Sequence, residues 1–380
     1  MKTGKLDVFY NEKHVGTLAE MKDKRIAFEY SDTWLNDGFS ISPFSLPLEK
    51  KVFVPKGYTF GGLSGVFSDS LPDAWGRLLL DRLLKNNDIN PDNISELDRL
   101  AIIGDSGMGA LCYRPSIKLK NEFHEEYDLD LDTISDSCKD ILKSKTSDNL
   151  DYLYKYGGSS GGARPKVSIN YEGDEWLIKF PSHIDDEDIG YMEYEYNECA
   201  EKCGIRVAKH RLFDSLKCKG YFGSKRFDRL STSKGDKRYH MLTASAILEA
   251  DFRAPCLDYN DLIKLTRILS IDNKKEVENI FRLMCFNVFA HNRDDHAKNF
   301  TYIYYEDKDI WLMSPAYDLT YSSTYYGEHT TSVNGNGINP SIEDMIKVAE
   351  KNGLNKRKAD VIIDEVSHKV KEMLDNYTKI

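Results

Sequence analysis

Short segments of mixed apolar and polar positions open the chain. KLDVFY (5–10) and HVGTL (14–18) mix apolar with polar positions and predict two strands around a polar turn at Asn11–Lys13. RIAFEY (25–30) adds a third strand. A loop-rich stretch follows until LPDAWGRLLLDRLL, where the leucines recur at helical spacing and Asp73 stands where a cap belongs. SELDRLAII predicts a second helix stopped by Gly104, which runs into GDSGMGALCYRP, a glycine-punctuated turn before a short strand. Residues 119–150 are charged and polar with Leu and Ile at helical intervals, as in a connector carrying one helix. Beyond it, KVSIN (166–170), EWLIKF (175–180), HRLFD (210–214) and YFGSKRF (221–227) predict strands, with a helix over 193–204 closed by Gly204. From 242 to 290 the pattern is helical, and ENIFRLMCFNVFA is apolar nearly all round, as in a buried helix. FTYIYY and IWLM predict two aromatic strands joined at Glu306–Asp309. Ser341 with Asp344 three residues on starts a terminal helix that Gly353 stops.

The chain's 380 residues give room for two or three domains. Its 62 acidic against 52 basic residues leave a net charge of −10, which argues against broad nucleic-acid or membrane-surface binding. Seven cysteines, an odd number with no CxxC pair, fit free thiols in a reducing cytosol. The polar opening lacks a signal-peptide core, and no apolar run approaches the roughly 20 residues of a membrane span. The expectation is a soluble cytoplasmic protein.

Four features carry chemistry. YGGSSGGARPK (156–166) is a glycine-rich loop before a strand, where Ser159, Ser160 and Gly161 can bring backbone N–H groups close to phosphate oxygens. No GK[ST] closes it, so it is not a Walker A loop. Lys179 lies inside the apolar strand WLIKFP, where a kinase lysine neutralises the α/β-phosphates and pairs with a helix glutamate. Glu193 is the candidate partner, with Glu195 and Glu198 as rivals. HNRDDHAKNF (291–300) places Asp294 and Asn299 at the D-x-x-x-x-N spacing of a kinase catalytic loop. There the carboxylate accepts the proton of an attacking hydroxyl and the amide coordinates Mg²⁺. Asp318, in SPAYDLTYS, stands across the predicted hairpin where a second metal-binding carboxylate would be.

These segments resemble the HipA family of bacterial toxin kinases. The resemblance extends to GGLSGVFSDSLPDAWGR (61–77), GDSGMGAL (104–111), KRFDR and the tail TSVNGNGINPSIEDMIKVAEKNG. It implies an α+β fold: a small N-terminal domain (1–118), a connector (119–150), and a two-lobed protein-kinase-like core. That core would comprise an N-lobe (151–228) and a mostly helical C-lobe (229–380). It implies ATP and Mg²⁺ as cofactors, Asp294 as catalytic base, Asn299 and Asp318 as metal ligands, and Lys179 on the phosphates. The backbones of Lys225 and Phe227 would meet adenine, and Ser159, or Ser160 beside it, would be autophosphorylated. Asp295 departs from the family pattern, in which glycine often follows the catalytic aspartate. The resemblance further implies a protein substrate in translation, such as an aminoacyl-tRNA synthetase. A helix-turn-helix, HipB-like antitoxin would restrain the toxin and make the DNA contacts.

Three other readings compete. Gly158-Ser159-Ser160-Gly161-Gly162 satisfies G-x-S-x-G, but a nucleophile elbow needs a strand before it and a helix after it. His291, Asp294, Asp295 and His296 suggest a metal-dependent phosphohydrolase, although helix-borne ligand histidines sit at i, i+4 and these are five apart. A catalytically silent kinase-fold binding module is the third.

Overall fold

The computed structural model describes residues 3–119, 130–145, 147–158, 161–232, 235–324 and 327–379. It mixes helix (38%) with strand (21%), as the α+β expectation requires. The chain forms two compact units. One comprises Met1–Gly190, Phe213–Leu242 and Ala246–Glu249; the other comprises Tyr191–Leu212, Thr243–Ser245 and Ala250–Ile380.

The first unit begins with an antiparallel five-stranded sheet in the order Val52–Phe53, Ile26–Tyr30, Lys13–Glu20, Lys5–Tyr10, Leu111–Arg114. Leu6, Val8 and Tyr10 alternate inward, as their spacing predicts. Helix Ala74–Asn86 buries Trp75, Leu79, Leu80, Leu83 and Leu84 along one face. Asp73 holds the N-cap position, yet its side chain makes no cap hydrogen bond. Helix Glu96–Ile103 starts with a full Ser95/Asp98 capping box and ends at Gly104, whose φ of 53° suits glycine.

Within 119–150 the described residues hold one complete helix, as expected, and a second begins at Leu150. Leu131–Leu142 is followed by Leu150–Gly157, which delivers the chain to the glycine loop. The strands Lys166–Tyr171, Asp174–Lys179 and Tyr221–Lys225 pair antiparallel in that order. A hairpin, Arg229–Thr232 with Gly235–Arg238, follows; the hydrophobic pattern had not predicted it because both strands are short and largely polar. Trp75 and Leu79 share one core with Ile134, Cys138, Ile141, Leu153, Val167, Trp176 and Ile178. The N-terminal helix, the connector and the lysine strands are thus bound by common burial.

His240 is buried in this unit, with Nε2 2.8 Å from the Ile41 carbonyl and its ring against Tyr10 and Phe39. Burial pulls its pKa from 6.5 down to about 4. The unfolded chain therefore binds the extra proton first as pH falls, and stability drops between pH 6.5 and 4. Urea titrations should lose about 3 kcal/mol across that window, and His240→Gln should flatten the dependence.

The second unit is mostly helical. Helix Lys274–Phe289 buries Val277, Ile280, Phe281, Leu283, Met284, Cys285, Phe286 and Val288, so it is covered nearly all round. It packs against Tyr259–Leu269 and against the long Lys356–Thr378, whose Ile362, Val366, Val370 and Leu374 face inward. The aromatic strands Thr301–Tyr305 and Ile310–Met313 form the expected antiparallel hairpin. Helix Ile342–Lys351 starts with the Ser341/Asp344 box, and Gly353, at φ 65°, follows it. Between 242 and 258 the chain is less helical than expected: only Ala244–Ile247 is helix, and Leu257–Asp258 is a strand paired in parallel with Thr331–Ser332. No helix among the described residues is long and apolar enough to cross a membrane.

Candidate active site

In the first unit, the residues that could meet phosphate lie on the two strands and the loop before them. Lys166 and Lys179 are directly opposite in the antiparallel register, so their side chains share one face, and both are buried. Lys179 Nζ lies 5.7 Å from the Phe222 ring centroid, and Lys166 Nζ donates to the carbonyl of Gly161. Ser159 and Ser160 lie outside the described residues.

The N-terminal helix holds this loop. Asp73 Oδ2 accepts the Gly162 N–H at 3.0 Å, which explains why the residue is not spent on its own helix. Trp75 N–H donates to the Gly162 carbonyl, and its indole Nε1 donates to the Lys166 carbonyl at 3.2 Å. Gly76 faces the Gly158 carbonyl so closely that a Cβ there would stand 2.5 Å from that oxygen. The DAWG run is therefore a backbone-contact motif. Gly76→Ala must push helix and loop apart; we expect about 1–3 kcal/mol of lost stability by denaturant titration, as for overpacking elsewhere.

Lys225 ends its strand with Nζ 2.6 Å from Asp174, and Phe227 is half-buried. Between and beyond them, Arg226, Asp228 and Arg229 form a buried ion cluster. Asp228 accepts from Arg226, Arg229 and the Gly109 N–H. The two guanidinium groups hold its carboxyl well below the usual range, while burial pulls Arg229 down to about 10.

In the second unit, the loop after Lys274–Phe289 turns sharply at His291, whose φ is 52°. Adjacent aspartates then point to opposite environments: the Asp294 side chain is 60% exposed, while Asp295 is 1% exposed. The Asn299 amide Nδ2 folds back to the Asp294 carbonyl at 2.7 Å, so the D-x-x-x-x-N spacing closes into one turn. Asp318 is half-buried and left-handed at φ 54°, a region that aspartate tolerates better than most residues. Its segment runs along the loop. Tyr317 donates to the Lys298 carbonyl and shares a hydrogen bond with Thr301, and Ser322 bridges Asn292. The segment around Asp318 is thus tied to the Asp294–Asn299 loop through the Tyr317 hydroxyl and the Asn292/Ser322 bridge. Glu193 is buried in helix Ile189–Lys202 of this unit, where Asn197 donates to its carbonyl.

The rival chemistries fit less well. The glycine loop has a helix before it and a strand after it, the reverse of a nucleophile elbow. Asp295 is committed to Tyr259, His329 and Thr331. Among the described residues, the ligand atoms that cluster within 4.8 Å belong to Glu198, Glu201 and His210, not to the loop. His329 carries no signal in the sequence, Asp73 reads there only as a helix cap, and Asp295 only as a departure from pattern or a candidate metal ligand. Nothing local marks the loop contact of Asp73 or the Asp295 contact of His329, because each partner is distant in sequence.

Comparison with known proteins adds a family. Residues 6–114 match the HipA N-terminal domain and residues 158–374 the HipA-like C-terminal domain. No curated protein matches. Among solved structures, HipA of Shewanella oneidensis MR-1, determined with HipB and operator DNA, superposes with a TM-score of 0.73 at 16% identity. The match covers 98% of this chain and 90% of that one, so it speaks to the fold. The Helicobacter pylori proinflammatory kinase CtkA aligns over 56% of this chain and 89% of its own, at 15% identity and a TM-score of 0.38, too low to carry an argument.

Proposed function

We propose, from the premise that this chain belongs to the HipA family, that it is an ATP- and Mg²⁺-dependent protein Ser/Thr kinase and the toxin of a toxin–antitoxin pair. The observation that carries the reading is the closed Asp294–Asn299 turn, with its exposed carboxylate over a buried, tied neighbour. An exposed carboxylate of this kind can take the proton of a serine or threonine hydroxyl as it attacks a phosphoryl group. Asn299, whose amide nitrogen is engaged, would offer Oδ1 to Mg²⁺, and Asp318 a carboxylate oxygen. Both are the hard oxygen donors that this ion takes. When bound, it would neutralise phosphate charge. Lys179 would meet the nucleotide phosphates, and Lys166, opposite it in the register and on the same face, would stand beside it. Glu193 would pair with Lys179, while the backbones of Lys225 and Phe227 would take adenine.

Phosphorylation of Ser159 or Ser160 would add about −1.5 to −2 charge to the glycine loop and oppose ATP there. The protein substrate would be a translation component. A HipB-like antitoxin is supported by the Shewanella assembly, and it would supply the DNA contacts that a chain of net charge −10 is poorly suited to make. Incubating the full chain with γ-labelled ATP and Mg²⁺, alone and with lysate, tests the reading. Label on the chain's own serines or on a lysate protein supports it; no transfer in either arm overturns it.

A further inference from the structure

Asp295, beside the exposed Asp294, has its side chain held by three partners. Its Oδ2 accepts from the Tyr259 hydroxyl at 2.8 Å and lies 3.0 Å from His329 Nδ1; its Oδ1 accepts the Thr331 N–H at 3.1 Å. The Thr331 hydroxyl closes on the Asp295 carbonyl, and the Thr330 N–H on that of Arg293. The chain of bonds continues inward: Asn287 Nδ2 donates to the Tyr259 hydroxyl, and Asn292 Nδ2 donates to Asn287 Oδ1. Tyr259, Asn287, Asn292, Asp295, His329 and Thr331 are all buried. Helix Tyr259–Leu269 and the strand at Thr331–Ser332 meet on this carboxylate, and helix Lys274–Phe289 joins them through Asn287 on the Tyr259 hydroxyl.

We propose that Asp295 is a positioning residue for Asp294, a buried anchor that sets the direction of the exposed carboxylate beside it. The physical reason lies in the covalent chain. Two adjacent residues share a peptide plane, so clamping the side chain and carbonyl of one restricts the dihedral angles that aim the other. A loop hung on Asn299 alone would let Asp294 wander, whereas a loop nailed at 293 and 295 cannot turn without breaking buried hydrogen bonds. Unmade buried bonds are expensive, which gives the anchor its stiffness. Burial and the Asp295 charge both push the Tyr259 hydroxyl well above its ordinary pKa, so that phenol stays a donor. The role rests on the kinase reading, but the anchoring itself does not.

The test uses the full chain with Asp295→Ala, Asp295→Asn and Tyr259→Phe, and three readouts. Hydrogen–deuterium exchange over 291–299 and 329–331 reports anchoring whether or not any activity exists. ATP affinity and the rate of phosphoryl transfer separate aim from binding. Asp295→Ala should raise exchange in those two stretches alone. It should lower transfer by about 100-fold, the scale of an ångström-sized misplacement, with ATP affinity changed less than about threefold. Asp295→Asn should be milder, because its amide oxygen still accepts from Thr331 and its NH₂ can meet a His329 of the other tautomer. Tyr259→Phe, which removes one donor, covers the case in which the alanine variant does not fold. The proposal is overturned by unchanged exchange in both Asp295→Ala and Tyr259→Phe, by wild-type transfer in either variant despite raised exchange, or by ATP affinity falling in step with rate. An inactive wild type whose exchange still responds sinks the kinase reading and keeps the anchor.

Discussion

Asp294→Asn should lower phosphoryl transfer by roughly 10³-fold while leaving the fold and nucleotide binding in place. The side chain is 60% exposed, and exposed positions tolerate substitution with little change in stability. Asparagine keeps the shape and the backbone carbonyl that Asn299 holds, and loses only the lone pair that accepts a proton. The change therefore isolates base chemistry from loop structure. Transfer measured with labelled ATP, beside a melting curve and an ATP titration, gives all three quantities on one preparation. A variant that transfers at the wild-type rate would mean that the loop's exposed carboxylate is not the base. A variant that stops binding ATP would mean that Asp294 serves the nucleotide instead.

What could be read from the sequence was what short-range physics writes there. Helix Lys274–Phe289 announced itself because burial on every side leaves an apolar run with no polar stripe. The hairpin at 301–313 and the capping box at Ser341 are likewise local patterns, in which each residue's partner lies a few positions away. The loop that carries Asp294 and Asn299 belongs to the same class, since its defining bond spans five residues. The rest depends on partners far along the chain. Asp73 looks like a helix cap, and only the fold brings Gly162, 89 residues on, to take its carboxylate. Asp295 looks like a solvated charge beside its exposed twin until His329 and Thr331 close over it. The helix at 150–157 leaves no clear pattern in the sequence because its buried Leu150 and Leu153 are too few to set a period.

The largest loss of stability is expected from Asp228→Ala, about 3–5 kcal/mol, with Asp228→Asn falling between it and wild type. Asp228 is buried and receives Arg226 at 2.7 and 2.9 Å, Arg229 at 2.6 Å and the Gly109 N–H at 2.9 Å. Removing it leaves two guanidinium groups packed inside with one fewer negative charge. Arg226 keeps Glu175 at 2.8 Å, but Arg229 reaches Glu175 only at 4.0 Å. The damage should spread to the glycine turn, because Arg229 and Arg238 hold the carbonyls of Gly107 and Gly109. GDSGMGAL and KRFDR, more than a hundred residues apart, are thus two halves of a single clamp. The carboxyl's lowered pKa fixes the sign with pH: its contribution is complete above about 3.8 and fades only as the solution becomes more acidic. Denaturant titrations at neutral pH measure the difference directly. A shift under about 0.5 kcal/mol for Asp228→Ala, the range of an ordinary surface change, would show that water had replaced the carboxylate and that the clamp is not held by charge.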